Sequence, residues 1–255
     1  MKGLYLGFQL SRVLLHLVVG LCTCAFVFPL TDAAGRQWRI RHWSIKLLAI
    51  CRVTVQLRNP GKFELTSHAL IVSNHVSWLD IFVINSVQPC RFVAKSDIRD
   101  WPLIGWLCDK SGTIFITRGK RSDVRRIFQG LVSSIQAGER IAFFPEGTTA
   151  AQGSVLPFHA NLFEAAIDAQ APIQPYAVRY LNNDGSLHRA ADFIGDMTFA
   201  QSMITILKAP SMRAELIQCA PMASMSLHRR ELAVMAHVAI VTALEPIEEM
   251  SEVVA

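Results

Sequence analysis

The chain has 255 residues, enough to bury a full core as one α/β domain with a short appendage, so no second globular unit is needed. Hydrophobic residues make up 51% and the mean hydropathy is positive, high for a soluble enzyme, which assigns part of the surplus to lipid. Net charge is +5, yet Glu245, Glu248, Glu249 and Glu252 fall in the last eleven residues, so the rest carries +9; that suits a membrane surface, a phosphate-bearing ligand or an acidic carrier protein, and without a nucleic-acid motif it argues against nucleic acid.

From Val13 to Leu30 eighteen residues carry no fixed charge, roughly 27 Å as a helix and barely a bilayer core. Basic residues flank it on both sides, Lys2 and Arg12 before and Arg36, Arg39, Arg41 and Lys46 after, so charge gives no orientation. No small-x-small cleavage site leads into a mature start. Trp38, Ile40, Trp43, Leu47 and Leu48 mixed with those basic residues read as an interfacial helix. Residues 1–50 are therefore expected to form a membrane-associated helical pair dipped into one leaflet, and residues 51–255 a single α/β domain. Six cysteines show neither a Cys-x-x-Cys pair nor a histidine partner at zinc spacing, so they read as reduced and structural, with no metal site.

Alternation over 52–57 predicts a half-buried strand ended by Asn59-Pro60-Gly61. An apolar run from Ala69 to Ser73 predicts the next strand, stopping at Asn74, with Ser77 opening a helix. A short strand over 91–94 precedes Trp101-Pro102-Leu103-Ile104-Gly105-Trp106, an aromatic loop that fits either a membrane-facing lip or a buried connector. A strand over 113–116 leads to a helix capped by Ser122, with apolar residues recurring from Val124 to Ile135 and Gly138 closing it. Strands over 141–144, 173–178 and 213–218 alternate with helices around 162–167, 199–207 and 232–239. The expected fold class is α/β, a mainly parallel, helix-covered sheet.

Turns at strand ends are where such folds place chemistry, and His75 stands in one, followed by Asp80. Histidine moves protons near neutral pH, and Asp80 has the reach to orient its ring if the chain turns between them. The same Ser77-x-x-Asp80 spacing also fits a helix cap, leaving His75 a turn contact. Glu146-Gly147-Thr148 and Arg118 follow other strands, where a carboxylate, a flexible backbone, a hydroxyl and a guanidinium fit a polar or phosphorylated ligand, and an ordinary turn is the alternative. No Gly-x-Ser-x-Gly elbow, Ser-x-x-Lys pair or His-Glu-x-x-His is present, so the base has no protein nucleophile and activation of a substrate hydroxyl follows.

In order along the chain stand Asn74-His75-Val76-Ser77-Trp78-Leu79-Asp80, Gly112-Thr113-Ile114-Phe115-Ile116-Thr117-Arg118, Phe144-Pro145-Glu146-Gly147-Thr148 and Pro172-Ile173-Gln174-Pro175. This ordered quartet resembles the bacterial lysophosphatidate acyltransferase family of membrane glycerolipid acyltransferases. The resemblance implies His75 as general base, Asp80 as its orienting partner, Arg118 with Glu146, Gly147 and Thr148 as acceptor-binding, and Pro175 in donor or acyl-chain binding. It implies transfer of a fatty acyl group from acyl carrier protein or coenzyme A, as co-substrate with no further cofactor, to the sn-2 hydroxyl of lysophosphatidate. The expected location is the cytoplasmic (inner) membrane, with the site at its cytosolic face. Thr149 and Thr117 depart from the residues common in the family. Lyso-ornithine lipid or another lysolipid is the alternative acceptor. A non-catalytic lipid tether and a lipid hydrolase are the rivals from other classes.

Overall fold

In the computed structural model, residues 2–59, 68–116 and 121–245 are described. Two helices, α1 (Lys2–Cys22) and α2 (Ala33–Ile50), precede the sheet. Between them the helix continues through a wide turn at Thr23–Val27 and a tight one at Phe28–Leu30 that carries Pro29. His16 and Gly20, which weaken α1 as a membrane span, clasp the pair. The His16 ring stacks on Trp43 at 4.3 Å and donates from Nε2 to the Trp43 carbonyl at 2.9 Å, while Trp43 Nε1 donates back to the His16 carbonyl at 3.1 Å. A Cβ at Gly20 would sit 2.7 Å from Trp43 Nε1, so the helices approach only because that side chain is missing.

Seven strands follow: β1 (Val53–Arg58), β2 (Ala69–Ser73), β3 (Arg91–Lys95), β4 (Ile114–Ile116), β5 (Arg140–Phe143), β6 (Ile173–Leu181) and β7 (Met212–Gln218). They form one sheet in the order β1-β7-β6-β2-β5-β3-β4, parallel throughout except where β6 meets β7. Six more helices are α3 (Leu79–Val87), α4 (Ile104–Lys110), α5 (Arg121–Gln136), α6 (Glu164–Ala169), α7 (Phe199–Lys208) and α8 (Arg229–Leu244). The mainly parallel, helix-covered sheet expected from the alternating pattern is what the chain forms.

Because side chains alternate across a strand, each face carries its own core. On one, Ile71, Tyr176, Val178 and Tyr180 pack with α2, α3 and α7; on the other, Leu70, Val72, Ile173 and Ala177 pack with α5, α6 and α8. Every residue of β2 is buried, since it lies mid-sheet under helices on both sides. Arg41 of α2 donates to the Ser86 carbonyl at the end of α3 at 2.9 Å, which fixes the N-terminal pair to the helix that carries Asp80.

Three local expectations change. The helix after β2 starts at Leu79, not at Ser77, and no side chain caps it in the usual sense. Trp101–Trp106 is not an open loop: a tight turn over Ser96–Asp100 runs into α4. The helix after β4 begins at Arg121, so Ser122 falls inside its first turn. The turn at Pro60-Gly61, the loop with Arg118 and Lys120, and the acids at 248, 249 and 252 lie outside the described residues.

Candidate active site

β2 ends at Ser73, but its ladder continues for one rung through a side chain. Asn74 Nδ2 donates to the Val178 carbonyl at 2.9 Å and Asn74 Oδ1 accepts the Val178 amide at 2.8 Å, as a backbone partner would. The main chain is thereby released into a turn at His75. Two long-range bonds pin that turn, from the Ala150 amide to the His75 carbonyl (2.8 Å) and from the Phe193 amide to the Val76 carbonyl (3.1 Å).

Asp80, second residue of α3 and fully buried, gathers four donors. Its Oδ2 accepts from His75 Nδ1 at 2.8 Å and from the amides of Val76 (2.7 Å) and Ser77 (2.9 Å); its Oδ1 accepts from the Tyr180 hydroxyl at 2.6 Å. The capping and orienting roles left open by the sequence are one arrangement: the carboxylate binds the turn's amides and the imidazole at once. Four donors, two of them amides at a helix N-terminus, offset the cost of burying the charge. With Nδ1 donating to Asp80, neutral His75 keeps its acceptor on Nε2, which has no partner among the described residues. Phe144 lies flat on the imidazole, centroids 3.8 Å apart and planes 6° from parallel, and Phe92 stacks behind it.

Glu146 follows β5 and is 4% exposed. Its Oε1 accepts the His75 amide at 2.7 Å and its Oε2 the Leu156 amide at 2.8 Å, so the carboxylate ties the histidine turn to the loop after β5. Both oxygens are thus engaged in holding the backbone, a different use from the acceptor contact implied by the resemblance. Burial pushes this carboxyl above its ordinary range, and the amides of Leu156 and His75 pull it back. Glu146→Gln would turn an NH2 against one of two buried amide donors, and the expected result is a loss of ~1–3 kcal/mol. Thermal unfolding reads it, and an unchanged midpoint would remove the carboxylate from this structural role.

Gly147 and Thr148 are exposed at the rim. Gly147 has φ +69, and a Cβ there would lie 3.3 Å from the His159 ring, so this turn requires glycine. The Thr149 hydroxyl donates to the Phe193 carbonyl, so the departure at that position serves the loop packing. Pro175 is buried inside β6 opposite Val72, its carbonyl accepting the Cys219 amide at 3.1 Å. Arg118 lies outside the described residues. Chemistry at the buried Cys51 and Cys219 is disfavoured, because burial pushes their thiols up, Cys219 to about 11 and Cys51 to about 12. Ser77 is fully buried, which removes its hydroxyl as a nucleophile.

The family model described as Acyltransferase matches residues 54–179, a span that contains His75, Asp80, Glu146 and Pro175. A lyso-ornithine lipid O-acyltransferase from Pseudomonas aeruginosa is 33% identical over 249 residues, covering 96% of this chain and 95% of that protein. The chain belongs to the acyltransferase family.

A 1-acyl-sn-glycerol-3-phosphate acyltransferase from Neisseria meningitidis is 38% identical over 139 residues, 54% of each protein. The crystal structure of PlsC, the 1-acyl-sn-glycerophosphate acyltransferase of Thermotoga maritima, matches with a TM-score of 0.71 over 96% of both chains at 16% identity, a likeness of fold. This acyltransferase has a mainly parallel sheet with an apolar helix at its N-terminus, and these relatives are named for acyl transfer to lyso-ornithine lipid and to 1-acyl-sn-glycerol-3-phosphate.

Sequence reading missed one partner of the dyad and one exposed cation that strand register places towards the same end of the sheet. Tyr180 sits one hundred residues from Asp80 in the chain; the signal was a tyrosine on the face that β6 shares with Tyr176 and Val178, where a buried phenol needs a partner. Lys95 ends β3 three residues past the Phe92↔Ala142 pairing, which brings it level with the Pro145 turn; it is exposed and has no ion pair among the described residues. A cation at the end of a parallel strand was the available sign.

Proposed function

We propose that the protein transfers a fatty acyl group from an acyl thioester, on acyl carrier protein or coenzyme A, to the sn-2 hydroxyl of lysophosphatidate, forming phosphatidate. The observation that carries the reading is the pair of rim-facing His75 and buried Asp80, with Nδ1 committed to the carboxylate and Nε2 open, in a chain of this family with no competent protein nucleophile near it among the described residues. Nε2 takes the hydroxyl proton as the oxygen bonds to the thioester carbonyl carbon. Collapse of the tetrahedral intermediate breaks the C–S bond, and the imidazolium returns the proton to the leaving thiolate, giving an ester and a free thiol. His75 acts as base and then acid, and Asp80 with Tyr180 holds it in the required tautomer.

Lys95, Arg118 and the exposed turn at Gly147 and Thr148 are assigned to the acceptor headgroup. The apolar stretch of α1 and the two turns after it, with Leu4, Phe8, Leu14, Leu15, Phe26 and Leu30 exposed, is assigned to the cytoplasmic (inner) membrane, with the site at its cytosolic face. The acyl thioester is the co-substrate, and no other cofactor enters the proposed reaction.

A second acceptor, lyso-ornithine lipid, is favoured by the near-full-length likeness to the Pseudomonas aeruginosa enzyme. One acyl-transfer assay decides, with purified protein, each thioester donor and a panel of lysolipids. The expected result is fastest turnover of lysophosphatidate, with acceptor KM rising ~10-fold or more in Lys95→Ala and Arg118→Ala, as loss of a charge-assisted contact predicts. Faster turnover of lyso-ornithine lipid, with KM for lysophosphatidate unmoved in both variants, would replace the first acceptor by the second.

A further inference from the structure

The corner between β3 and α4 exposes three large apolar side chains: Trp101 at 41%, Leu103 at 58% and Trp106 at 41%. Its backbone is held tightly. Leu103 has φ +63 and ψ −45, the centre of a strained three-residue turn unfavourable for a leucine, yet bonds from Ile104 N to the Pro102 carbonyl (2.7 Å), from Gly105 N to the Trp101 carbonyl (2.8 Å) and from Leu107 N to the Leu103 carbonyl (2.9 Å) fix it there. A Cβ at Gly105 would lie 2.1 Å from the Arg99 carbonyl oxygen, so the corner closes only around glycine. The chain thus accepts backbone strain and a close backbone contact to hold a leucine and two tryptophans outward, a pattern that marks interaction sites rather than packing.

The surroundings identify the occupant. Trp101 contacts Phe199 of α7 at 6.1 Å, and α1 packs against α7, so the corner stands beside the apolar N-terminal helix. Lys110, at the end of α4, lies over the Trp106 ring at 5.9 Å and within electrostatic reach of Cys24 in the turn after α1. Two tryptophans, a leucine and a lysine next to an exposed apolar helix match the chemistry of the headgroup layer: amphipathic rings at the boundary, an aliphatic tip below, a cation above.

We propose that the Trp101–Trp106 corner is a second lipid-contacting element, entering the headgroup layer of the same leaflet as α1 and fixing the orientation of the site about the α1 axis. One apolar helix leaves the domain free to rotate about that helix; a second, rigid contact removes the rotation and holds the exposed edge of His75 at one height. The inference rests on the membrane reading given above but not on the acceptor's identity.

The test uses the full chain on vesicles of phosphatidylcholine with about one part in four phosphatidylglycerol, an anionic surface for a basic body. Lipids brominated near the headgroup quench tryptophan at contact. The expected result is strong quenching of the wild type that falls by half or more in Trp101→Phe/Trp106→Phe, a conservative pair that preserves the corner. Quenching equal in wild type and variant would overturn the proposal. Leu103→Ser, at an exposed position that the fold tolerates, supplies the second reading: turnover of vesicle-borne acceptor drops ~3-fold or more, as loss of an interfacial leucine predicts, while turnover of a short-chain, water-soluble acceptor holds. Equal turnover on vesicles would again overturn it. Quenching involves no acyl transfer, so its failure is separate from any failure of the proposed reaction.

Discussion

His75→Ala lowers kcat by ~10²- to 10⁴-fold, the usual contribution of a positioned acid-base group, with a thermal midpoint close to that of the wild type. The fold survives because the imidazole is at the rim, 18% exposed, and contributes one hydrogen bond to a carboxylate that keeps three other donors. The turn's main chain is held by Glu146, Ala150 and Phe193 and not by the ring. Acceptor KM should change little, since a base without charge adds little to ground-state binding. Single-turnover acyl transfer, with unfolding measured in parallel, separates the two effects. Near-normal turnover would remove His75 as the base and with it the proposed mechanism.

Tyr180→Phe is expected to cost ~10-fold in kcat and to move the acidic limb of the kcat/KM profile to higher pH. The sign follows from the geometry. The phenol donates to Asp80 Oδ1 and draws charge away from the oxygen shared with His75. Without it that charge presses more fully on the imidazole, the protonated ring is favoured, and the base is freed only at higher pH. Burial, reinforced by Asp80, holds the phenol well above its ordinary range, so it remains a donor throughout the working pH. A cavity effect alone would lower the thermal midpoint and leave the limb where it was. Tyrosine occurs three times in the chain, so replacement with 3-fluorotyrosine in a Tyr5→Phe background touches Tyr176 and Tyr180 alone. A more acidic phenol should strengthen the bond and shift the limb the other way. A limb that stays put in both proteins would reduce Tyr180 to packing.

What the sequence revealed of this molecule follows the range of the interactions involved. Period-2 and period-3.6 patterns located the strands, and the helices other than α4, within a few residues, because each depends on neighbours in the chain. His75 and Asp80 were legible for the same reason: five residues and one turn connect them. The cap was legible as well, as an alternative to the orienting role; that Asp80 performs both at once was not, since its acceptance of the Val76 and Ser77 amides beside the imidazole depends on the helix starting at Leu79. Tyr180 and Phe144 join through sheet order, which brings β6 and β5 to either side of β2, and no local pattern encodes that order. The carboxylate of Glu146 shows the opposite failure. Its motif is easily read, but burial and two amide partners decide what the group is free to do.

The place of β2 in the sheet has a consequence for descent. It has strands on both sides and helices on both faces, so a change in the residues that hold His75 disturbs many neighbours at once. Lys95 ends a strand near the sheet margin, where β4 has a partner on one side alone and fewer contacts constrain substitution. A lineage can therefore rewrite its margin without disturbing its centre. Relatives named for two different lysolipids, one of them aligned along nearly this whole chain, are what such uneven tolerance would leave behind.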